Sequence, residues 1–135
     1  MTETTAASIK LDQFVQAEPR KVWRTLTEPE LLEKWWVPGD ISAEVGHEFT
    51  LEMPGFGRQP CKILRSEPFS LLSYSFTPQW TLTWTLVPEG RGTRLLLEHS
   101  GFDLDDARMA AAFDRMGPGW QGSILPLLAE TAQSL

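Results

Sequence analysis

An α+β fold is what this sequence predicts, and three observations carry it. Apolar residues recur with period two between Ile41 and Ser100, two short helix signatures precede that run, and a broad apolar helical stripe follows it. At 135 residues the chain suits one domain built on one core.

Residues 1–8 (MTETTAAS) are small, polar and acidic, so they read as a flexible N-terminal tail rather than a signal peptide, and the domain is expected over 9–135. Ile9, Leu11 and, after Gln13, Val15 alternate with Lys10, Asp12 and Phe14, a first strand. Glu18-Pro19 opens a helix whose Val22, Trp23 and Leu26 share a face. Thr27-Glu28-Pro29-Glu30 reads as a second helix start, with Thr27 as the expected cap and Leu31, Leu32 and Trp35 as the apolar face. Pro38-Gly39 ends it.

His47, Phe49, Leu51 and Met53 then alternate with Glu48, Thr50 and Glu52. Pro54 to Gly57 is a turn, and Cys61, Ile63 and Arg65 follow in alternation before Ser66-Glu67-Pro68 reverses the chain. Leu72, Tyr74 and Phe76 share a face, as do Leu82, Trp84 and Leu86, and then Leu95, Leu97 and His99 beyond the Pro88 to Gly92 hairpin loop. Short turns between such strands predict an antiparallel meander. A helix is expected from Asp103 to Met116, broken at Gly117-Pro118-Gly119. The last segment puts Trp120, Ile124, Leu127 and Leu128 on one stripe, with Pro126 predicting a kink about a turn before it.

Composition narrows the function. Twelve Lys and Arg against 18 Asp and Glu give a net charge of −6, so nucleic acid and anionic membrane surfaces are poor partners. No apolar run approaches the roughly 20 residues of a membrane span, so no membrane insertion is expected. A single cysteine, Cys61, fits a reducing, cytoplasmic location and excludes an internal disulfide. Two histidines, His47 and His99, leave little for a metal site, and no cofactor motif is present. Asp103, Asp105 and Asp106 lack the glycine and distal glutamate of a calcium loop, so helix capping explains them better. Six tryptophans and seven phenylalanines beside one tyrosine point to an aromatic core, an aromatic-lined pocket, or both.

The ordered pieces Val22-Trp23, Pro29-Glu30-Leu31-Leu32, Trp35-Trp36, Glu67-Pro68 and Thr83-Trp84-Thr85-Leu86-Val87-Pro88 carry a family likeness. With Gly92-Thr93-Arg94-Leu95, His99-Ser100-Gly101-Phe102 and Gly119-Trp120, the chain resembles the START-like, helix-grip superfamily over roughly residues 9 to 130. Within it, the likeness is to the branch named after the activator of the heat-shock protein 90 ATPase. The resemblance implies a curved antiparallel sheet wrapped around a long C-terminal helix, with two short helices after the first strand. The eukaryotic activator also has a separate N-terminal domain, for which 135 residues leave no room. It implies a range of functions too: binders of lipids and other apolar molecules, drug-sequestering proteins, cyclases, hydrolases and the stress-response activator itself. Fold alone does not choose among them.

A helix-grip domain encloses a cavity between sheet and terminal helix, lined by alternate strand positions. By parity Phe49, Leu51 and Met53 face it, then Cys61 and Ile63, then Tyr74 and Phe76. Trp84, Leu97 and His99 follow on the later strands, and Phe113, Met116, Trp120 and Ile124 close the other side. These side chains either form a plain core or line a ligand pocket, and the polar tips of Tyr74, His99 and Cys61 favour the pocket. His99 is the candidate hydrogen-bonding or acid/base group, its alternative being a histidine satisfied by a backbone carbonyl. Cys61 has no nearby base and reads as a small buried apolar residue. Trp35 and Trp36 point about 100° apart on a helix, so one belongs to the core and the other to the surface or cavity mouth. Trp84 and Trp120 are expected to approach each other across the interior.

The leading expectation is non-catalytic binding of a small hydrophobic or aromatic molecule. A chaperone-activator-like protein partner and a cyclase or hydrolase using His99 are the alternatives. The state of the cavity, open or filled, is the discriminating observation.

Overall fold

The structure is a computed structural model that describes residues 6–135. Strand β1 (Ala6–Val15) is followed by helices α1 (Pro19–Thr27) and α2 (Pro29–Trp35). Strands β2 (Glu48–Met53), β3 (Gly57–Glu67), β4 (Leu71–Phe76), β5 (Trp80–Glu89) and β6 (Gly92–Asp103) form the meander. The chain ends in α3 (Ala107–Gly119), a π-helical turn (Trp120–Ile124) and α4 (Leu125–Gln133). β1 begins at Ala6, so residues 6–8, expected in the tail, are strand. The rest of that tail lies outside the described residues.

The six strands form one curved, antiparallel sheet in the order β1-β6-β5-β4-β3-β2. The two edge strands are therefore the first two in sequence, and α1 and α2 carry the chain between them. Cross-strand register explains the core. Ile9, His99, Leu82, Tyr74 and Ile63 are successive partners across five strands, and all five are buried. Leu97, Trp84 and Leu72 make the next row. The period-two parity holds except at a bulge between Ile63 and Arg65, after which Arg65, in alternation with Cys61 and Ile63, is exposed instead of facing inward.

Helix starts and stops depart from the sequence reading at three points. Glu28 is the N-cap residue of α2, with Pro29 in its first turn; Thr27 instead ends α1, its hydroxyl donating to the Trp23 carbonyl at 2.8 Å. α3 begins at Ala107 rather than at Asp103, and Asp106 caps it, as expected of the aspartate cluster, by accepting from the Arg108 and Met109 amides at 2.8 and 3.3 Å. No break occurs at Gly117-Pro118-Gly119: all three lie inside α3. The irregularity comes one step later, as a π turn closed by the Leu125 amide on the Trp120 carbonyl. It lies immediately before Pro126, whose ring crowds the carbonyl four residues back.

That extra residue changes the buried stripe. In a plain α-helix Trp120 and Leu125 would stand about 140° apart, yet both are buried, while Ile124 is only half-buried and Leu127 is exposed. Leu125, Leu128, Ala129 and Ala132 pack toward α1, α2 and β1.

One glycine is demanded by a close approach. Gly101 has φ of +100°, and a Cβ there would lie 2.3 Å from the Gln79 carbonyl oxygen. Gly101→Ala is expected to lower stability by about 1–3 kcal/mol from the backbone strain alone, with the steric overlap adding to it. Urea unfolding measures the loss; an unchanged midpoint would show that the β4–β5 turn yields freely.

Candidate functional site

The concave side of the sheet is filled by a continuous aromatic cluster. Trp84 packs edge-to-face on Trp35 and on Trp120, each with ring centroids 5.7 Å apart. Trp35 is buried and its indole N–H donates to the Thr25 carbonyl at 2.8 Å. Trp36 stacks on Trp35 and tilts against Trp120 at 5.0 Å, but it is only half-buried and stands at an opening. The adjacent tryptophans thus divide into core and mouth.

Polar tips inside the cluster pair with indoles. Trp84 donates to the Tyr74 hydroxyl and Trp120 donates to His99 Nδ1, both at 3.1 Å. Accepting at Nδ1 sets the His99 tautomer: the neutral ring carries its proton on Nε2. Burial holds the His99 pKa down at about 3, so the ring stays neutral at physiological pH. Burial raises the Tyr74 pKa as well, and pushes the Cys61 thiol up to about 12, which leaves it a poor nucleophile.

Two buried donors in this cluster have no acceptor among the described residues, His99 Nε2 and Trp80 Nε1. Their rings pack nearly perpendicular with centroids 5.3 Å apart, an arrangement that offers at most a weak N–H···π contact. Leaving a buried donor unmade costs about 1–3 kcal/mol each.

The residues that carry these donors, Trp80 and His99, each line open space beside α3. One cavity of about 220 Å³ is walled by Met53, Phe56, Phe76, Thr77 and Trp80. A second of about 200 Å³ is walled by Trp36, His99, Gly119, Trp120 and Ile124. They adjoin, since Met53, Phe76, Arg115 and Met116 line both. A larger depression of about 400 Å³ lies elsewhere, along β1, β5 and β6, between Thr83, Thr85, Leu96 and the charged Lys10, Asp12 and Glu98.

Strain is concentrated here too. Thr77, β-branched and buried, is held at φ of +59° in the β4–β5 turn, a conformation such residues rarely adopt. Its hydroxyl donates to the Gln79 side-chain oxygen at 2.6 Å and accepts from the Gln79 amide at 3.2 Å.

Of the residues assigned to the cavity by parity, Met53, Phe76, His99, Met116, Trp120 and Ile124 border these openings. Phe49, Leu51, Cys61, Ile63, Tyr74, Trp84 and Leu97 are buried within the packed core. Phe113 packs edge-on against Phe102 at 5.3 Å. Sequence reasoning missed Phe56, Thr77, Trp80 and Arg115. Phe56 and Thr77 sit in turns, where parity is silent; Trp80, the first residue of β5, has the parity of Leu82 and Trp84 and could have been found from it; Arg115 lies on the helix expected only to supply apolar groups. His47 is at the sheet's rim, its Nε2 2.8 Å from the Asp40 carbonyl and its ring stacked on Phe49.

Residues 16–133 match the family described as Activator of Hsp90 ATPase homolog 1-like protein. A solved structure from Bacillus halodurans is 30% identical, with a TM-score of 0.85 over 96% of this chain and 99% of that one. A Mesorhizobium loti protein is also 30% identical, with a TM-score of 0.79 and 95% of each chain covered. CalU16 from Micromonospora echinospora is 28% identical, with a TM-score of 0.71 over 94% of this chain and 76% of its own. Among curated proteins no match reaches significance. No helix among the described residues is long and apolar enough to cross a membrane.

Proposed function

The chain belongs to the Activator of Hsp90 ATPase homolog 1-like family, and from that premise and the cleft beside α3 we propose that it binds a small apolar molecule without transforming it. The site is narrower than the whole interior. Deep positions are filled by Trp35, Trp84 and Tyr74, so the ligand occupies the mouth between β2, the β4–β5 turn and α3.

One observation carries this reading: two rings that line an aromatic-walled opening, Trp80 and His99, carry unpartnered buried donors, and a buried threonine in the same wall is strained. A plain core leaves neither feature, whereas a preformed binding site accounts for both. Binding without catalysis is supported by His99. With a pKa near 3 the ring is not the imidazolium that would act as a general acid at pH 7, and Trp120 occupies the Nδ1 lone pair that a general base would use. The acidic surface and lone buried thiol suit a cytoplasmic protein whose partner is a small molecule rather than nucleic acid.

The test uses a side chain that plugs the mouth. A Cβ at Gly119 meets no atom within 4 Å, so Gly119→Leu projects into free space and adds a better helix former. Titration with the neutral dye N-phenylnaphthylamine is expected to raise its emission with the wild-type chain. In Gly119→Leu the affinity is expected to fall about tenfold or more, with thermal stability kept. Absence of any response in the wild type would overturn the proposal.

A further inference from the structure

We infer that the molecule this cleft takes is an apolar acid: a compact, largely aromatic body bearing a carboxylate. The inference rests on the binding reading above and adds the chemistry of the ligand.

The walls specify what the ligand's polar atoms must do. Trp80 Nε1 only donates, because an indole nitrogen has no lone pair to offer. His99 Nε2 only donates, because Trp120 has taken Nδ1 as its acceptor and so placed the ring proton on the other nitrogen. Both unpartnered groups therefore call for acceptor atoms, and a ligand hydroxyl or amine proton has nothing to meet on either. The remaining polar wall groups, Gln59, Thr77 and Gln79, are uncharged.

Charge is supplied by one residue. Arg115 lines both adjoining cavities, and among the described residues its guanidinium makes no ion pair. Five other arginines, Arg20, Arg24, Arg58, Arg65 and Arg94, are paired with carboxylates. A chain of net charge −6 repels anions at long range, so an anionic ligand needs a local cation, and Arg115 is placed to be it. A carboxylate combines acceptor-only oxygens with the charge a guanidinium recognises in a two-pronged fashion. The body is set by Trp36, Phe76 and Trp80 with the thioethers of Met53 and Met116, surfaces that suit a flat ring system.

The experiment compares four probes of one shape: naphthalene carboxylate, naphthyl methyl ketone, methylnaphthalene and naphthylmethylamine. Each is titrated into the ¹⁵N-labelled chain, with the six indole N–H signals as reporters. The carboxylate is expected to bind about tenfold tighter than methylnaphthalene and tighter still than the amine. The Trp80 indole signal, assigned from Trp80→Phe, is expected to move downfield with the carboxylate and the ketone only. Arg115→Gln is expected to bring the carboxylate down to the ketone's affinity while leaving the ketone unchanged. Equal binding of all four, or preference for the amine, overturns the ligand class and leaves the binding site standing. No binding by any probe, with every indole signal stationary, overturns the binding reading itself and this inference with it.

Discussion

Trp84→Ala is expected to lower the unfolding free energy by about 3–5 kcal/mol, a large share of the roughly 5–15 kcal/mol that holds a domain of this kind together. The reason is position. Trp84 is completely buried, on the central row of the sheet between Leu72 and Leu97. Its ring bridges Trp35 from the paired helices and Trp120 from the terminal helix. Truncation leaves a void between three elements and takes the indole donor away from the Tyr74 hydroxyl at the same time. Trp84→Phe separates the two effects, since it keeps most of the ring contact and removes the N–H; its expected cost is about 1–3 kcal/mol. Urea unfolding with an unchanged m-value measures both. A midpoint equal to wild type in Trp84→Ala would show that the aromatic cluster does not hold the layers together.

Acidification is the second large effect, and His99 drives it. The ring titrates near 6.5 in the unfolded chain and near 3 in the folded one, where burial opposes the charge. Below pH 6.5 the unfolded chain therefore takes up a proton that the native state refuses. Stability is full above about pH 6.5 and falls toward pH 3 by up to about 1.4 kcal/mol per pH unit. Asp40, held below the usual carboxylate range by the Thr50 amide, adds its own dependence nearer the acid end, so the clean window is about pH 6.5 to 5. His99→Phe is expected to have a flatter profile across that window, even though it leaves the Trp120 indole without its acceptor and starts from lower stability at pH 8. Parallel profiles for the two chains would mean that His99 is protonated in the native state.

Strand parity made most of the sheet legible. Phe49, Leu51, Ile63, Tyr74, Trp84 and Leu97 are buried where alternation puts them, because one face of this sheet meets helices and the other meets water. The opposition of Trp84 and Trp120 follows from the same geometry. The terminal helix was less legible. Glycine and proline at 117–119 read as a break, yet all three are helical and the irregularity falls at Trp120–Ile124. Pro126 signalled an irregularity about a turn before it, where the π turn lies, but a π turn has no composition of its own, so the phase change that buries Leu125 and leaves Ile124 half-exposed was not legible. The site followed the same pattern. Of the residues that line the openings, Met53, Phe76 and His99 follow from strand parity, as Trp80 at the start of β5 would have, whereas Phe56 and Thr77 depend on how turns fold back and Arg115 on the direction of a long side chain.

The π turn also divides one helix into parts held with unequal strength. Beyond it, α4 seats Leu125, Leu128, Ala129 and Ala132 among α1, α2 and β1. Before it, only Ala112 of the thirteen residues of α3 is fully buried. Free energies of local opening follow the apolar surface that an element buries, so α3 is expected to open at a lower cost than the domain unfolds, which hydrogen exchange of its amides would measure. The hinge for that opening is a helical turn already departing from regular hydrogen bonding. On the binding reading proposed above, a ligand entering beside Trp36 and Arg115 would work against the packing of one half-helix, with the sheet, α1, α2 and α4 left as they are.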